Sequence, residues 1–213
     1  MKPGQEPLPD KEMPFMADTV HHLRIELDGI DPPIWRHVAV PSDFNLYDLH
    51  EVIQVAMGWE DVHLHEFFLA GRGGKRRRTF TPRFTPMGGV IHDDDMEGED
   101  ESEVILGQLL YRAHMKLHYV YDFGDGWEHT IRVMRIAPRD PEQVYPCCLD
   151  GARACPPEDC GGVHGYYRVC EESRERAASA EEEEHGDYIF ERFEPEAFDL
   201  DATNRWVQAM YSD

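Results

Sequence analysis

The stretch Lys116 to Ile136, KLHYVYDFGDGWEHTIRVMRI, decides the fold. Two alternating, aromatic-rich runs flank Gly124-Asp125-Gly126, and that combination of strand pattern and turn chemistry reads as a β-hairpin. Its register determines which side chains share a face. A two-residue turn would put Leu117, Tyr119, Tyr121 and Phe123 on one side of the sheet and Trp127, Ile131 and Val133 on the other. A three-residue loop, with Gly126 in the left-handed bulge position, brings both apolar sets onto one face. A buried face specifies register, so the three-residue loop is expected. His129 then lies opposite Tyr121 among aromatic rings, while His118 and Asp122 point to the other side with Glu128 and Arg132.

Upstream, Leu23, Ile25 and Leu27 alternate within a strand from His22 to Asp28, and Ile34, Arg36, Val38 and Val40 alternate before Pro41. Asn45 and Asp48 form a cap for a helix over 45–57, whose apolar positions recur at helical spacing and which Gly58 stops. His63 to Leu69 reads as a third strand, with His63 and His65 on the face of Phe67 and Leu69. Val104 to Leu110 suggests a short helix before the hairpin, and Gly165 to Ala180 a longer one after it. A closing helix over Asp201 to Tyr211 is expected to bury Trp206, Val207 and Met210, with Phe193, Phe198 and Leu200 anchoring the linker before it. The segment after Pro138, including YPCCLDGARACPPEDCGGVHGYY, reads as loop.

Residues 1–18 are polar and proline-rich and are expected to be disordered. A mobile charged excursion is expected at 71–103, with a short strand near Thr79 to Phe84. The predicted fold is one α+β domain over 19–213: a mixed, mainly antiparallel sheet packed with helices, the C-terminal helices closing the core.

Acidic residues outnumber basic ones by 43 to 21, for a net charge of −22, which disfavours direct binding of duplex DNA. The basic patch Arg72, Lys75, Arg76, Arg77, Arg78 and Arg83 is expected to pair with the acidic segment that follows it. No run of apolar residues reaches the ~20 that a membrane span needs. Five cysteines with no export signal point to a cytoplasmic protein with free thiols.

Three groups of residues could carry chemistry. The first is a polar site of His63, His65, His118, Asp122, Asp125 and His129, with His50 nearby on the 45–57 helix. Imidazole and carboxylate together suit Zn²⁺ or Mn²⁺ or acid–base work. Against this, a histidine placed like His129 beside Tyr121 is more often a satisfied core imidazole, and Asp122 and Asp125 read as turn formers. The second is Cys147, Cys155, Cys160 and His164, a tetrahedral donor set without the paired C-x₂-C spacing of zinc ribbons; Cys148 lacks the elbow of a nucleophile. The third is the fixed loop around Glu158, Asp159, Gly161 and Gly162, where Asp159 is placed to cap the glycine turn. No phosphate-cradling or dinucleotide motif is present, and no cofactor beyond Zn²⁺ or Mn²⁺ is suggested.

GIDPPIWRHVAVP (Gly29 to Pro41), LHEVIQVAMGWEDVHLHEF (Leu49 to Phe67), YDFGDGWEHTI (Tyr121 to Ile131), ACPPEDCGGVHGY (Ala154 to Tyr166) and FDLDATN (Phe198 to Asn204) occur in this order. Together they resemble the plasmid pRiA4b ORF-3-like family, which includes members named as passenger proteins of an insertion element. The resemblance implies an α+β domain associated with plasmids or mobile elements, and supplies no reaction. With no complete catalytic constellation, the expected function is an accessory, non-catalytic domain that binds a protein or small ligand. The alternative is a metal-dependent hydrolase or nuclease-like enzyme using the His/Asp cluster.

Overall fold

The computed structural model describes residues 18–71, 76–91, 96–178 and 193–211. Strands β1 (Thr19–Leu27), β2 (Trp35–Pro41), β3 (His65–Ala70), β4 (Arg76–Thr81), β5 (Glu99–Asp100), β6 (Lys116–Tyr121), β7 (Trp127–Pro138) and β8 (Cys147–Ala152) form one sheet in the order β5-β4-β3-β6-β7-β1-β2-β8. Neighbouring strands are antiparallel except β4 and β5, giving the mixed, mainly antiparallel sheet of an α+β fold. Helices are α1 (Leu46–Met57), α2 (Leu106–Leu109), α3 (Gly162–Ala178) and α4 (Leu200–Ala209).

The β6–β7 hairpin lies mid-sheet, with Tyr121 opposite Trp127 and Tyr119 opposite His129. Its loop is therefore five residues, 122–126, not three, and His129 pairs with Tyr119 rather than Tyr121. Both loops have the same parity, so the buried face is the expected one. Leu117, Tyr119, Tyr121, Trp127, His129, Ile131 and Val133 are all fully buried on it. The extra length comes from Asp122 and Phe123 leaving the strand: Asp122 has φ 55°, and Phe123 is half exposed instead of joining the apolar set. Gly126 is left-handed as anticipated, at φ 68°.

Leu23, Ile25 and Leu27 of β1 and Val38 and Val40 of β2 extend this buried face. Helix α1 packs on it through Leu46, Leu49, Val52 and Ile53. Its start is a full capping box, Asn45 Oδ1 accepting from Asp48 N and Asp48 Oδ2 from Asn45 N, both at 2.8 Å, and Gly58 ends it at φ 97°. These contacts hold α1 in fixed register over β6, and that register brings its polar residues to the sheet.

Four expectations change. The loop after Pro138 contains β8, an edge strand on β2 whose sequence CCLDGA does not alternate. The 71–103 excursion is partly built into the sheet as β4 and β5, with β4 at Arg76–Thr81 rather than 79–84. Its charges pair as expected where described: Arg78 makes a two-pronged contact with Glu99 at 2.6 and 2.7 Å, and Arg83 approaches Asp100 at 3.4 Å. Helix α4 buries Val207 but leaves Trp206 69% exposed and Met210 exposed. The expected disorder of the N-terminal tail, at 1–17, and the acidic run Glu181 to Glu184 lie outside the described residues.

Candidate functional site

His63 and His65 enter different environments. Strand β3 begins at His65, so only His65 is held on the buried face, where its ring stacks on His50 with centroids 3.5 Å apart and planes at 8°. His50 and Gln54, one turn apart on α1, both reach the Tyr119 hydroxyl at 2.9 Å. The other nitrogen of His50 meets Asp61 at 3.0 Å, and Gln54 Oε1 accepts from Asp61 N. His65 Nε2 lies 2.9 and 3.0 Å from the two oxygens of Glu101, which is 1% exposed. Burial pushes the Glu101 carboxyl up to about 8 and His65 down to about 4, and also lowers His50. Each residue of this network thus has a polar partner.

His50, Asp61 and His65 bring one ligand atom each within 4.8 Å of the others. A metal ion must lie near the plane of each imidazole that binds it. Two parallel rings 3.5 Å apart share no such point, so this cluster is built as a stacked structural pair rather than a metal centre.

His63 precedes β3 in a loop and meets a second set of carboxylates. Its Nε2 lies 3.0 Å from Asp159 Oδ1, 3.7 Å from Asp122 Oδ2 and 3.9 Å from Glu158 Oε2. The left-handed turn at Asp122 swings its side chain here instead of to the outer face with His118. Asp122 Oδ1 accepts from Gly124 N at 2.8 Å. Glu158 Oε1 accepts from Glu60 N and from the Tyr121 hydroxyl, both at 3.0 Å. His63 Nε2 and Glu158 Oε2 are buried atoms with no well-formed hydrogen bond.

The other predicted residues stand apart. His118 stacks on Phe68 on the opposite face of the sheet. His129 is fully buried against Trp59 and Tyr119, without a well-formed hydrogen bond at either ring nitrogen, and burial pushes it down to about 3. Asp125, rather than Asp159, caps the glycine turn, its Oδ2 accepting from Gly161 N at 3.0 Å. Gly162 lies so close to the hairpin that a Cβ there would come within 2.7 Å of Asp125 O.

Cys147, Cys155, Cys160 and His164 are not among the described groups whose ligand atoms converge. The cysteines are free thiols, and burial pushes Cys147 and Cys148 up to about 11, Cys160 to about 12 and Cys155 beyond the ordinary range. Sequence reading missed Glu101, Gln54 and Asp61. Gln54, on the apolar stripe of α1 four residues after His50, was the available signal.

The His63 cluster closes one end of a groove of about 1340 Å³ between the end of α1, the 154–159 loop and α4. Val55, Met57, Phe198 and Trp206 give it apolar walls, and Glu60, Glu158 and Asp159 an acidic end. Arg36 braces the wall, donating to the carbonyls of Ala56, Ala152 and Arg153 at 2.7–3.0 Å while its guanidinium lies over the Phe198 ring.

The model of the plasmid pRiA4b ORF-3-like protein family matches residues 19–202. The uncharacterized protein y4hQ of Sinorhizobium fredii is 35% identical over 159 residues, 73% of this chain and 74% of that protein. The crystal structure of MM3350 from Methanosarcina mazei Go1, a protein of unknown function, is similar with a TM-score of 0.68 and 33% identity, covering 87% of this chain and 96% of that one. No helix among the described residues is long and apolar enough to cross a membrane.

Proposed function

The chain belongs to the plasmid pRiA4b ORF-3-like family, and from that premise we propose that it is a non-catalytic accessory domain that binds an extended, partly apolar segment of a partner protein in the groove beside α4. The observation that carries this reading is Trp206, a large apolar side chain 69% exposed on the groove wall. Tryptophan is enriched among the residues that anchor binding surfaces. At about 1340 Å³ the groove exceeds the usual small-ligand pocket of roughly 300–1,000 Å³. Burial raises the thiol of Cys155, which lines the groove, well above its ordinary value and so disfavours the thiolate a nucleophile needs. His63, His65, His118 and His129 stand in separate environments, so the enzyme reading lacks an assembled set of them.

Selection from a random peptide display library, followed by titration of the synthesised peptides, tests the proposal. Enriched peptides should bind the wild-type chain, bind Trp206→Ala roughly tenfold or more weakly, and be recovered intact by mass spectrometry. Failure to enrich any groove-dependent peptide, or cleavage of bound peptide that requires His63, would overturn it.

A further inference from the structure

We propose that His63, Asp122 and Asp159, whose ligand atoms lie within 4.8 Å of one another, form a binding site for a divalent cation of the Mn²⁺ or Zn²⁺ class at the acidic end of the groove, with the Glu158 carboxylate beside it. The proposal deepens the groove reading by giving that end a resident ion, but binding of the ion itself does not depend on any groove ligand.

The geometry of the three carboxylates carries it. Asp122 uses Oδ1 to hold Gly124 N, and Glu158 uses Oε1 to hold Glu60 N and the Tyr121 hydroxyl. In each case the second oxygen faces His63 Nε2, at 3.7 and 3.9 Å, and Asp159 Oδ1 completes the ring at 3.0 Å. One oxygen fixed by the scaffold and the other presented to a common point is how outer hydrogen bonds orient metal ligands. Donors about 2.1 Å from one ion stand about 3.0 Å apart at octahedral corners and about 3.4 Å apart at tetrahedral ones. Asp159 and Asp122, at 3.0 and 3.7 Å from His63 Nε2, are close to these separations, and Glu158, at 3.9 Å, would have to swing inward to join them.

Hydrogen bonding does not account for the arrangement. An imidazole N–H aimed at one carboxylate would be satisfied, yet His63 Nε2 has no well-formed bond even with Asp159 at 3.0 Å. Glu158 Oε2 is likewise buried and without a donor. A buried oxygen of this kind costs free energy unless a cation or donor meets it. One imidazole with two carboxylate oxygens favours a borderline ion over Ca²⁺ or Mg²⁺, which take all-oxygen sites. Asp159 is 75% exposed, so the ion would keep coordination positions open toward the groove.

Chelator-treated full-length protein, titrated with Mn²⁺ by electron paramagnetic resonance and with Zn²⁺ by calorimetry, tests the site. One equivalent should bind, and affinity should fall roughly tenfold or more in His63→Ala, Asp122→Asn and Asp159→Asn. Glu60→Gln removes a groove charge outside the ligand set and should leave affinity within about twofold, because exposed charges are screened. Asp159→Asn alters an exposed side chain and keeps the test valid if a buried variant fails to fold. No stoichiometric binding, or equal weakening by Glu60→Gln and Asp159→Asn, overturns the proposal. Metal binding intact while groove peptides fail to bind would retain the cation site and sink the groove reading alone.

Discussion

His63 and His65 stand two residues apart, each faces carboxylates, and their side chains do opposite things. His65 stacks on His50 in a network in which His50, Gln54, Tyr119, Asp61 and Glu101 each have a polar partner. His63 faces three carboxylates, and neither its Nε2 nor Glu158 Oε2 makes a well-formed hydrogen bond. Residue types are nearly the same in both clusters. What separates them is whether each donor and acceptor already has its partner inside the protein. A satisfied polar cluster holds a fold together, and an unsatisfied one at the edge of a groove is available for binding.

The largest effect should come from breaking the satisfied cluster. Glu101→Ala strips the buried partner from His65 and should cost about 3 kcal/mol of stability, read from urea denaturation. A loss below about 0.5 kcal/mol would remove the structural role assigned to that network.

Acid should sharpen the contrast next. Burial pushes His65 and His22 down to about 4 and His129 down to about 3, so the unfolded chain takes up these protons first as pH falls below 6.5. Their contribution to stability is complete above pH 6.5 and is lost progressively toward pH 4. Glu101 has the opposite sign: its raised value means stability declines as pH rises from about 4.5 to 8. His21, His37 and His50, also lowered by burial, add to the acid limb, while Asp28, Asp48 and Glu51, raised by burial, act with the sign of Glu101. His129→Leu should flatten the acid limb by up to about one proton, and Glu101→Gln the decline between pH 6.5 and 8. Denaturant midpoints measured across pH 4–8 check both, and an unchanged slope in His129→Leu would contradict the assignment.

The smallest effect on stability belongs to the open cluster. His63→Ala should change unfolding free energy by no more than about 0.5 kcal/mol without added metal, because no hydrogen bond is lost. A loss as large as that of Glu101→Ala would make His63 a second structural histidine and erase the comparison.

How much of this was legible in the sequence depended on the range of the determining interactions. Capping at Asn45 and the stop at Gly58 are local, and both stand where the spacing put them. The buried face of the hairpin was legible because side-chain parity survives a change from three loop residues to five. The loop length itself was not, since it rests on a left-handed Asp122, a conformation that the alternating pattern conceals. Strand β8 lacked any period, as edge strands dominated by small residues do. The polar cluster was legible only as a list of residues. Strand pairing carries His118 to the far face and His129 into the core, and Glu158 and Asp159 arrive from a loop 95 and 96 positions after His63. Trp206 was misplaced because a helix at the margin of a domain can leave part of its apolar stripe uncovered.

The close passage of glycines beneath the hairpin tip has one more consequence. Gly165 packs so tightly that a Cβ would fall 1.7 Å from Cys160 O, and Gly162 is pressed against the carbonyl of Asp125. The hairpin tip, the 158–161 loop and the first turn of α3 are thereby clamped into one rigid block, tied again by the Asp125–Gly161 hydrogen bond. Whatever docks at that end of the molecule meets a surface already in its final shape, and little chain disorder has to be surrendered on arrival.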